Sequence, residues 1–393
     1  MRDTTARCPA CGATDARPSL HVRDVPAECN LLLGSEAEAR AVPRGDIELA
    51  LCGRCGLIWN TRFDPSLLSY DTWYENSLWA SHVFAAYGRH LAEHLIDRYG
   101  IRGKTILAIG CGRGEFLWLL CRLGNNRGIG IDPASDPSDV PPDLDVRLIA
   151  EEFSDRHRFD ADLVVCRHTF EHLKEPRAFL DSVRRAIGGR TTTAVYFEVP
   201  NAMLVFRDGS VWDLIYEHCS YFTEPSLRWL FEAAGFDVRD LYPSFGSQFL
   251  GLEAFPGRAE AGLPPDTRKL EAALRAYDAR YRSVVEQWAD RLAGWKRRGL
   301  RVAVWGIGSK GVTFLNTVPG AASIETIVDI NPRKQGHHVA GTGQRILTPE
   351  ELAEAGADEV IVMNPLYKEE IGGSLERLGV HAEVVPAGLS TAA

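Results

Sequence analysis

No apolar run in this chain is long enough to cross a bilayer, and its first residues, MRDTTARCPACG, lack the charged-then-apolar order of a secretory leader. A cytoplasmic protein with no membrane partner is expected. Positive charge is scarce too. With 44 Lys and Arg against 53 Asp and Glu, the net charge is −9 and no basic stripe is visible, which argues against a nucleic-acid ligand. Reducing compartments disfavour disulfides, so the nine cysteines should be free or metal-bound. What is present is a soluble globular composition, 45% hydrophobic and 25% charged, over 393 residues. That length exceeds one ordinary core and predicts about two or three domains.

Four of the cysteines form two knuckles of the same spacing, CPAC (Cys8, Cys11) and CGRC (Cys52, Cys55). Two intervening residues let both thiolates of a knuckle reach one ion, and Gly12, Gly53 and Gly56 supply the turns beside them. Four thiolates suit tetrahedral Zn2+ and close its coordination shell. The expected zinc is therefore structural rather than catalytic, at about one ion per chain. A pair of redox dithiols is the competing reading. Between the knuckles, residues 22–45 read as an inserted loop or short strands.

Further on, KTILAIGCGRGEFLWLLCRLGNNRGIGIDP reads as strand, glycine loop, amphipathic helix, turn and second strand, the opening of an α/β nucleotide fold. Gly110, Gly112 and Gly114 let backbone approach a ligand, and Asp132 ends the second strand where ribose hydroxyls would lie. The G-x-G-x-G spacing differs from the dinucleotide G-x-G-x-x-G and resembles the S-adenosylmethionine (SAM) loop of class I methyltransferases. Glu151 and Glu152 follow a third strand, near an adenine. Arg167 and His168 end a fourth strand, in FDADLVVCRHTFEHLKEPRAFL. The acid that often opens the first motif is Ala108 here.

A second loop, RVAVWGIGSKGVTFLNTV, carries Gly306, Gly308 and Gly311 at dinucleotide spacing, with Asp329 ending the next strand. Lys310 in the loop and Asn331, Arg333 and Lys334 beyond it would serve a nucleotide-sugar diphosphate as well as a dinucleotide. Glycines that merely close the turn are the bland alternative. Before this loop, Leu270, Leu274, Tyr277, Tyr281, Val284, Trp288, Leu292 and Trp295 recur at three- and four-residue steps. They predict one long helix over 266–298, capped by Asp266 and stopped at Gly299, with an aromatic stripe that packs as core.

The stretch IYEHCSYF follows a fifth strand, AVYFEVP, so Tyr216, Glu217, His218 and Tyr221 should emerge at the carboxyl end of the sheet, where doubly wound folds bind ligands. An imidazole supported by a carboxylate and phenols can remove a proton near neutral pH. A polar loop with one buried histidine is the alternative.

The knuckles, the bridge LLSYDTWYENSLWASHVF, IGCGRG, EHCSYF, and GIGSKGVTFLN with VDINPRKQG together resemble the zinc-containing C-methyltransferases of deoxysugar biosynthesis, over nearly the full chain. These enzymes methylate C-3 of thymidine-diphosphate 4-keto sugars. The resemblance implies an α/β protein: a zinc-binding domain (1–66), a class I methyltransferase Rossmann-like sheet (67–255) and a C-terminal Rossmann-like domain (256–393). It also implies that His218 removes the C-3 proton, that Tyr74 flanks the donor or sugar, that His172 is an active-site histidine and that Tyr221 lines the pocket. The expected partner is a small molecule, a nucleotide sugar, bound by a monomer or a dimer. Two stretches depart from the sugar-type pattern. Ile215 stands where those enzymes have tyrosine, and YPSFGSQFLGLEA carries Phe245, Gly246, Ser247 and Gln248 in place of a histidine and paired glycines. Other readings are a methyltransferase (C-, O- or N-) acting on a non-sugar natural-product intermediate, an NAD-dependent oxidoreductase, and a zinc-ribbon module that methylates RNA.

Overall fold

A computed structural model describes residues 6–69, 73–260 and 262–388. Tyr70, Asp71 and Thr72 of the tyrosine-rich bridge lie outside the described residues. Three sheets organise the chain. The first begins as an antiparallel meander of β1 (Ala16–Pro26), β2 (Arg44–Cys52) and β3 (Ile58–Asn60). The second takes β4 (Thr105–Ile109), β5 (Arg127–Ile131), β6 (Val146–Ile149), β7 (Leu163–Arg167) and β8 (Ala194–Pro200) in parallel. Apolar runs such as ILAI and LVVC suit strands buried on both faces.

The chain then departs from the order its sequence suggests. β9 (Ser220–Tyr221), inside the EHCSYF motif, leaves the second sheet and pairs antiparallel with β3, Tyr221 opposite Ile58 and Ser220 opposite Trp59. The hairpin of β10 (Phe236–Ser244) and β11 (Phe249–Pro256) returns to the second sheet through β8, giving the order β10-β11-β8-β7-β4-β5-β6. The third sheet is wholly parallel: β12 (Val302–Trp305), β13 (Thr326–Val328), β14 (Ile346–Leu347), β15 (Glu359–Val362) and β16 (Glu383–Pro386), ordered β14-β13-β12-β15-β16.

The long helix spans Arg268–Arg297, slightly inside its predicted bounds. Asp266 Oδ1 accepts the Arg268 N–H at 3.1 Å, and Gly299, at φ +69°, turns the chain away after it. The stripe from Leu270 to Trp295 is buried. It shares one apolar cluster with Ile47 and Leu49 of the first sheet, with Ile215 and Tyr221, and with Val304 and Ile327 of the third. The insertion 22–45 completes β1, forms a short helix (Glu36–Arg40) and docks on the C-terminal segment, where His338 N–H donates to Leu33 O at 3.0 Å and Gly341 N–H to Ala39 O at 2.7 Å. Among the described residues no helix is long and apolar enough to cross a membrane.

Candidate functional site

Each parallel sheet changes winding direction next to its first strand, and the loops leaving the strand ends there frame a crevice. In the second sheet, Gly110 (φ +65°) leaves β4 against the loop after β7, and a Cβ on Gly110 would lie 2.0 Å from Thr169 Oγ1. Only glycine permits that approach. Gly112 N–H and Ala134 N–H donate to the two oxygens of Asp132 at 2.9 and 2.8 Å, so the acid at the end of β5 braces the loop. Burial pushes Asp132 above the ordinary carboxylate value, against the pull of those two N–H groups.

The third sheet repeats the device. Ile307 N–H and Asn331 N–H donate to Asp329 at 2.7 and 2.8 Å, and the loop after β12 leads through Gly306 (φ +99°) into the helix Ser309–Thr317. The carboxyl ends of both sheets open into one cavity of about 1030 Å³, at the top of the ~300–1,000 Å³ range of small-molecule sites.

Most of the residues expected at the site from the sequence meet there. Tyr74, Gly110, Gly112, Asp132, Glu152, Arg167, His168, His172, His218, Gly308, Lys310 and Asn331 all line the cavity. Glu151 instead faces His157 at 3.1 Å, a Cβ on Gly311 would press on Gly306 O, and five more expected residues also lie outside the lining. Gly114 caps the helix Glu115–Gly124, where a Cβ would lie 2.8 Å from Trp118 Nε1, so it serves packing. Arg333 pairs with Glu75 at 2.7 Å outside the cavity lining. Tyr216 turns the other way, its ring against Gly45 and its hydroxyl between Asp64 N–H (2.8 Å) and Arg62 O (3.3 Å). Tyr221 donates to Ile215 O at 3.1 Å. Glu217 is fully buried, accepts from Cys29 N–H at 3.2 Å and is hydrogen-bonded by Tyr74. The expected carboxylate and phenol support for His218 is therefore absent: these groups fasten the motif to the first sheet and the insertion.

The carboxyl group beside His218 is Glu171, which the sequence reading passed over. Its Oε1 lies 4.0 Å from His218 Nε2, and ligand atoms of Glu171, His172 and His218 all fall within 4.8 Å of one another. The 3-10 turn Phe170–His172 is held against the motif by Phe170 stacked on Phe222 (4.8 Å) and by Cys219 Sγ donating to Glu171 O (3.5 Å). Burial, followed by the neighbouring His172, Lys310 and His168, holds His218 well below the usual imidazole value, so it is a neutral base at pH 7. His172 falls to about 4, again chiefly through burial, although it hydrogen-bonds the Glu217 carbonyl. The signal for Glu171 was in the sequence: FEHL and YEHC carry the same Glu-His pair.

Arg167 and His168 line the cavity with their polar atoms turned to a buried anion. Arg167 Nη2 lies 2.6 Å and His168 Nε2 2.9 Å from Glu198 Oε1, while Tyr196 (2.9 Å) and Tyr87 donate to Oε2. Burial alone would raise Glu198, but the Arg167 guanidinium, then His168 and Tyr87, hold it well below the carboxylate range. His168 has φ +51°, a strained conformation for a residue with a side chain. Above this network Phe84, Phe245 and Phe249 wall the cavity, with Phe245 stacked on Phe249 at 5.4 Å. Asn30 brings the insertion into the same wall, donating to Ser309 Oγ at 3.1 Å and accepting from Lys334 Nζ at 2.9 Å.

Away from the cavity, Cys8 and Cys55 Sγ lie 3.6 Å apart and Cys11 and Cys52 Sγ 3.5 Å apart, with all four sulfurs within 4.8 Å. Tetrahedral zinc with Zn–S of ~2.3 Å requires S···S of about 3.8 Å. The cluster fits such an ion. The donor loop also fits its ligand, since a Cβ on Gly112 would meet nothing within 4 Å, leaving the backbone beside Asp132 open.

Residues 80–241 match the family described as a methyltransferase domain, and residues 267–381 match the C-methyltransferase C-terminal domain. The chain is a SAM-dependent methyltransferase. Across 93% of its length it is 26% identical to the C-methyltransferase NovU of Streptomyces niveus, covering 90% of that protein. A ubiquinone biosynthesis O-methyltransferase of Hydrogenovibrio crunogenus is 30% identical over 137 residues, 32% of this methyltransferase and 56% of the relative. Among solved structures, the magnesium protoporphyrin IX methyltransferase of Synechocystis PCC 6803, with bound S-adenosylhomocysteine (SAH), covers 44% of the chain and 84% of its own, at 15% identity and TM-score 0.36.

Proposed function

We propose that the enzyme methylates the carbon next to a ketone in a nucleotide-linked keto sugar, through an enolate formed when His218 removes the adjacent proton. One observation carries this reading: His218 and the first glycine loop wall the same cavity, so a neutral buried base and a SAM site face one space. SAM supplies an electrophilic methyl group. The ketone acidifies its neighbouring C–H, and the protein holds carbon and base in register and excludes water. A nucleotide portion would extend toward the second loop, where Gly306, Gly308, Lys310 and Asn331 line the cavity. Similarity to a protein named as a C-methyltransferase supports carbon as the acceptor. In the same reading the four cysteines hold one structural zinc, and metal analysis should return about one ion per chain.

A second reading has its own support. Lys310 is paired with Asp213, Arg333 and Asn331 with Glu75, and the wall near Arg167 is aromatic, which also suits an uncharged, non-sugar acceptor with an acidic C–H. Calorimetric titration with SAH and, separately, thymidine diphosphate divides the two. Binding of both leads to assay of labelled-methyl transfer to thymidine-diphosphate keto sugars, and binding of SAH alone removes the nucleotide.

A further inference from the structure

We propose that Glu171 is the general acid of this reaction, donating its proton to the ketone oxygen while His218 Nε2 takes the hydrogen from the neighbouring carbon. The inference rests on the enolising reading above and adds the missing partner to it. An enolate needs a donor at its oxygen, and the donors expected from the motif point elsewhere: Tyr216 and Tyr221 give their hydroxyl hydrogens to backbone carbonyls, and Ile215 presents only an apolar side chain to the cavity. His172 is neutral and hydrogen-bonds the Glu217 carbonyl, so its single N–H is engaged and its other nitrogen can only accept.

Glu171 fits the vacancy. Its side chain is 2% exposed yet lines the cavity, and its Oε2 has no hydrogen-bond partner among the described residues. Its Oε1 stands 4.0 Å from the base, a separation that lets acid and base reach a carbonyl oxygen and the hydrogen on the adjacent carbon together. Burial pushes Glu171 up to about 8, with Glu198 adding to the rise. The titratable groups around it are His172, His218 and Cys219, with Cys166 beneath and Glu198 from β8. Lys310 and Lys174 act on its neighbours His218 and Cys219, and among the described residues no cation pairs with Glu171 itself.

The step balances. The substrate C–H bond breaks and an N–H bond forms on His218; the C–H electron pair becomes the new C=C bond. The carbonyl π pair accepts the Glu171 proton as an O–H bond. Two neutral buried groups become an imidazolium and a carboxylate that attract one another, so the charge created is compensated where it arises. When the carbonyl re-forms, the hydroxyl proton returns to Glu171, and the proton on His218 leaves to solvent as the one proton the methylation releases.

Two measurements on the full-length, SAH-bound protein test this. Infrared difference titration should show two protonated carboxyl components, one from Glu217 lost near pH 7 and one lost as pH rises through about 8, the second missing in Glu171→Gln and the first retained. A wild-type spectrum without the second component overturns the proposal. The second follows hydrogen–deuterium exchange at the carbon adjacent to the ketone of a thymidine-diphosphate 4-keto-6-deoxy sugar. Wild type should exchange, losing about tenfold per pH unit above the titration, and E171Q should be slower by ~10²–10⁴-fold with its alkaline limb gone and its affinity for SAH unchanged. Exchange in E171Q at the wild-type rate and with the wild-type pH profile overturns it. No exchange in wild type sinks the keto-sugar acceptor instead, and the role of Glu171 then stands or falls on the second infrared component.

Discussion

The two glycine loops are built to one plan and differ in how much freedom the protein leaves them. In both, an aspartate following the strand after the loop receives two backbone N–H bonds, Asp132 in the second sheet and Asp329 in the third. The first loop is jammed: Cβ atoms at Gly110 and Gly114 would collide with Thr169 and Trp118. The second is open at its first two glycines, since Cβ atoms at Gly306 and Gly308 would meet nothing within 4 Å, and close only at Gly311, where a Cβ would lie 2.5 Å from Gly306 O; its lysine is paired with Asp213. A loop clamped at both ends, with one open glycine beside its aspartate, suits a ligand whose shape never changes, as a universal methyl donor requires. A loop open at its entry, with its cation already paired, would suit a part of the acceptor that varies between enzymes.

That contrast can be broken or sharpened by mutation. The largest effect belongs to the chemistry between the loops: His218→Asn should lower methyl transfer by ~10²–10⁴-fold while SAH binds as before by calorimetry, and full turnover would exclude His218 as the base. Arg167→Met strands the buried Glu198 charge beside the first loop and should cost about 3–5 kcal/mol in denaturant unfolding. Next come the glycines. Gly110→Ala should abolish SAH binding and lower Tm, whereas Gly308→Ala, at φ −89°, should leave Tm and SAH affinity unchanged and alter only acceptor KM. The smallest effect is Lys310→Met, where loss of a part-exposed ion pair should change stability by about 1 kcal/mol or less yet weaken thymidine diphosphate if that loop binds it.

How much of this could be read beforehand follows from range. Glycine spacing, strand-ending acids and paired cysteines are local signals, because one turn or one ion imposes them, and they identified both nucleotide-type units and the thiolate cluster. The helix stripe was legible for the same reason. The direction of Tyr216 was not. It depends on Gly45, more than 150 residues away, lacking a side chain where the ring lies. Glu217 was misassigned because its partners, Cys29 and Tyr74, come from the insertion and the bridge. Glu171 sits in one 3-10 turn with no periodicity to flag it; the repeated Glu-His pair was its one local signal, and its nearness to His218 gives that pair its meaning.

The pairing of β9 with β3 also sets a timetable for synthesis. Trp59 meets Ser220, so the first sheet lacks its fourth strand until roughly 160 further residues have left the ribosome, on the order of 10–30 s at ordinary elongation rates. Both cysteine knuckles have emerged by then. A zinc ion bound there would secure the hairpin through that interval, while the Ile58–Asn60 edge waits open for a neighbour from its own chain or another's.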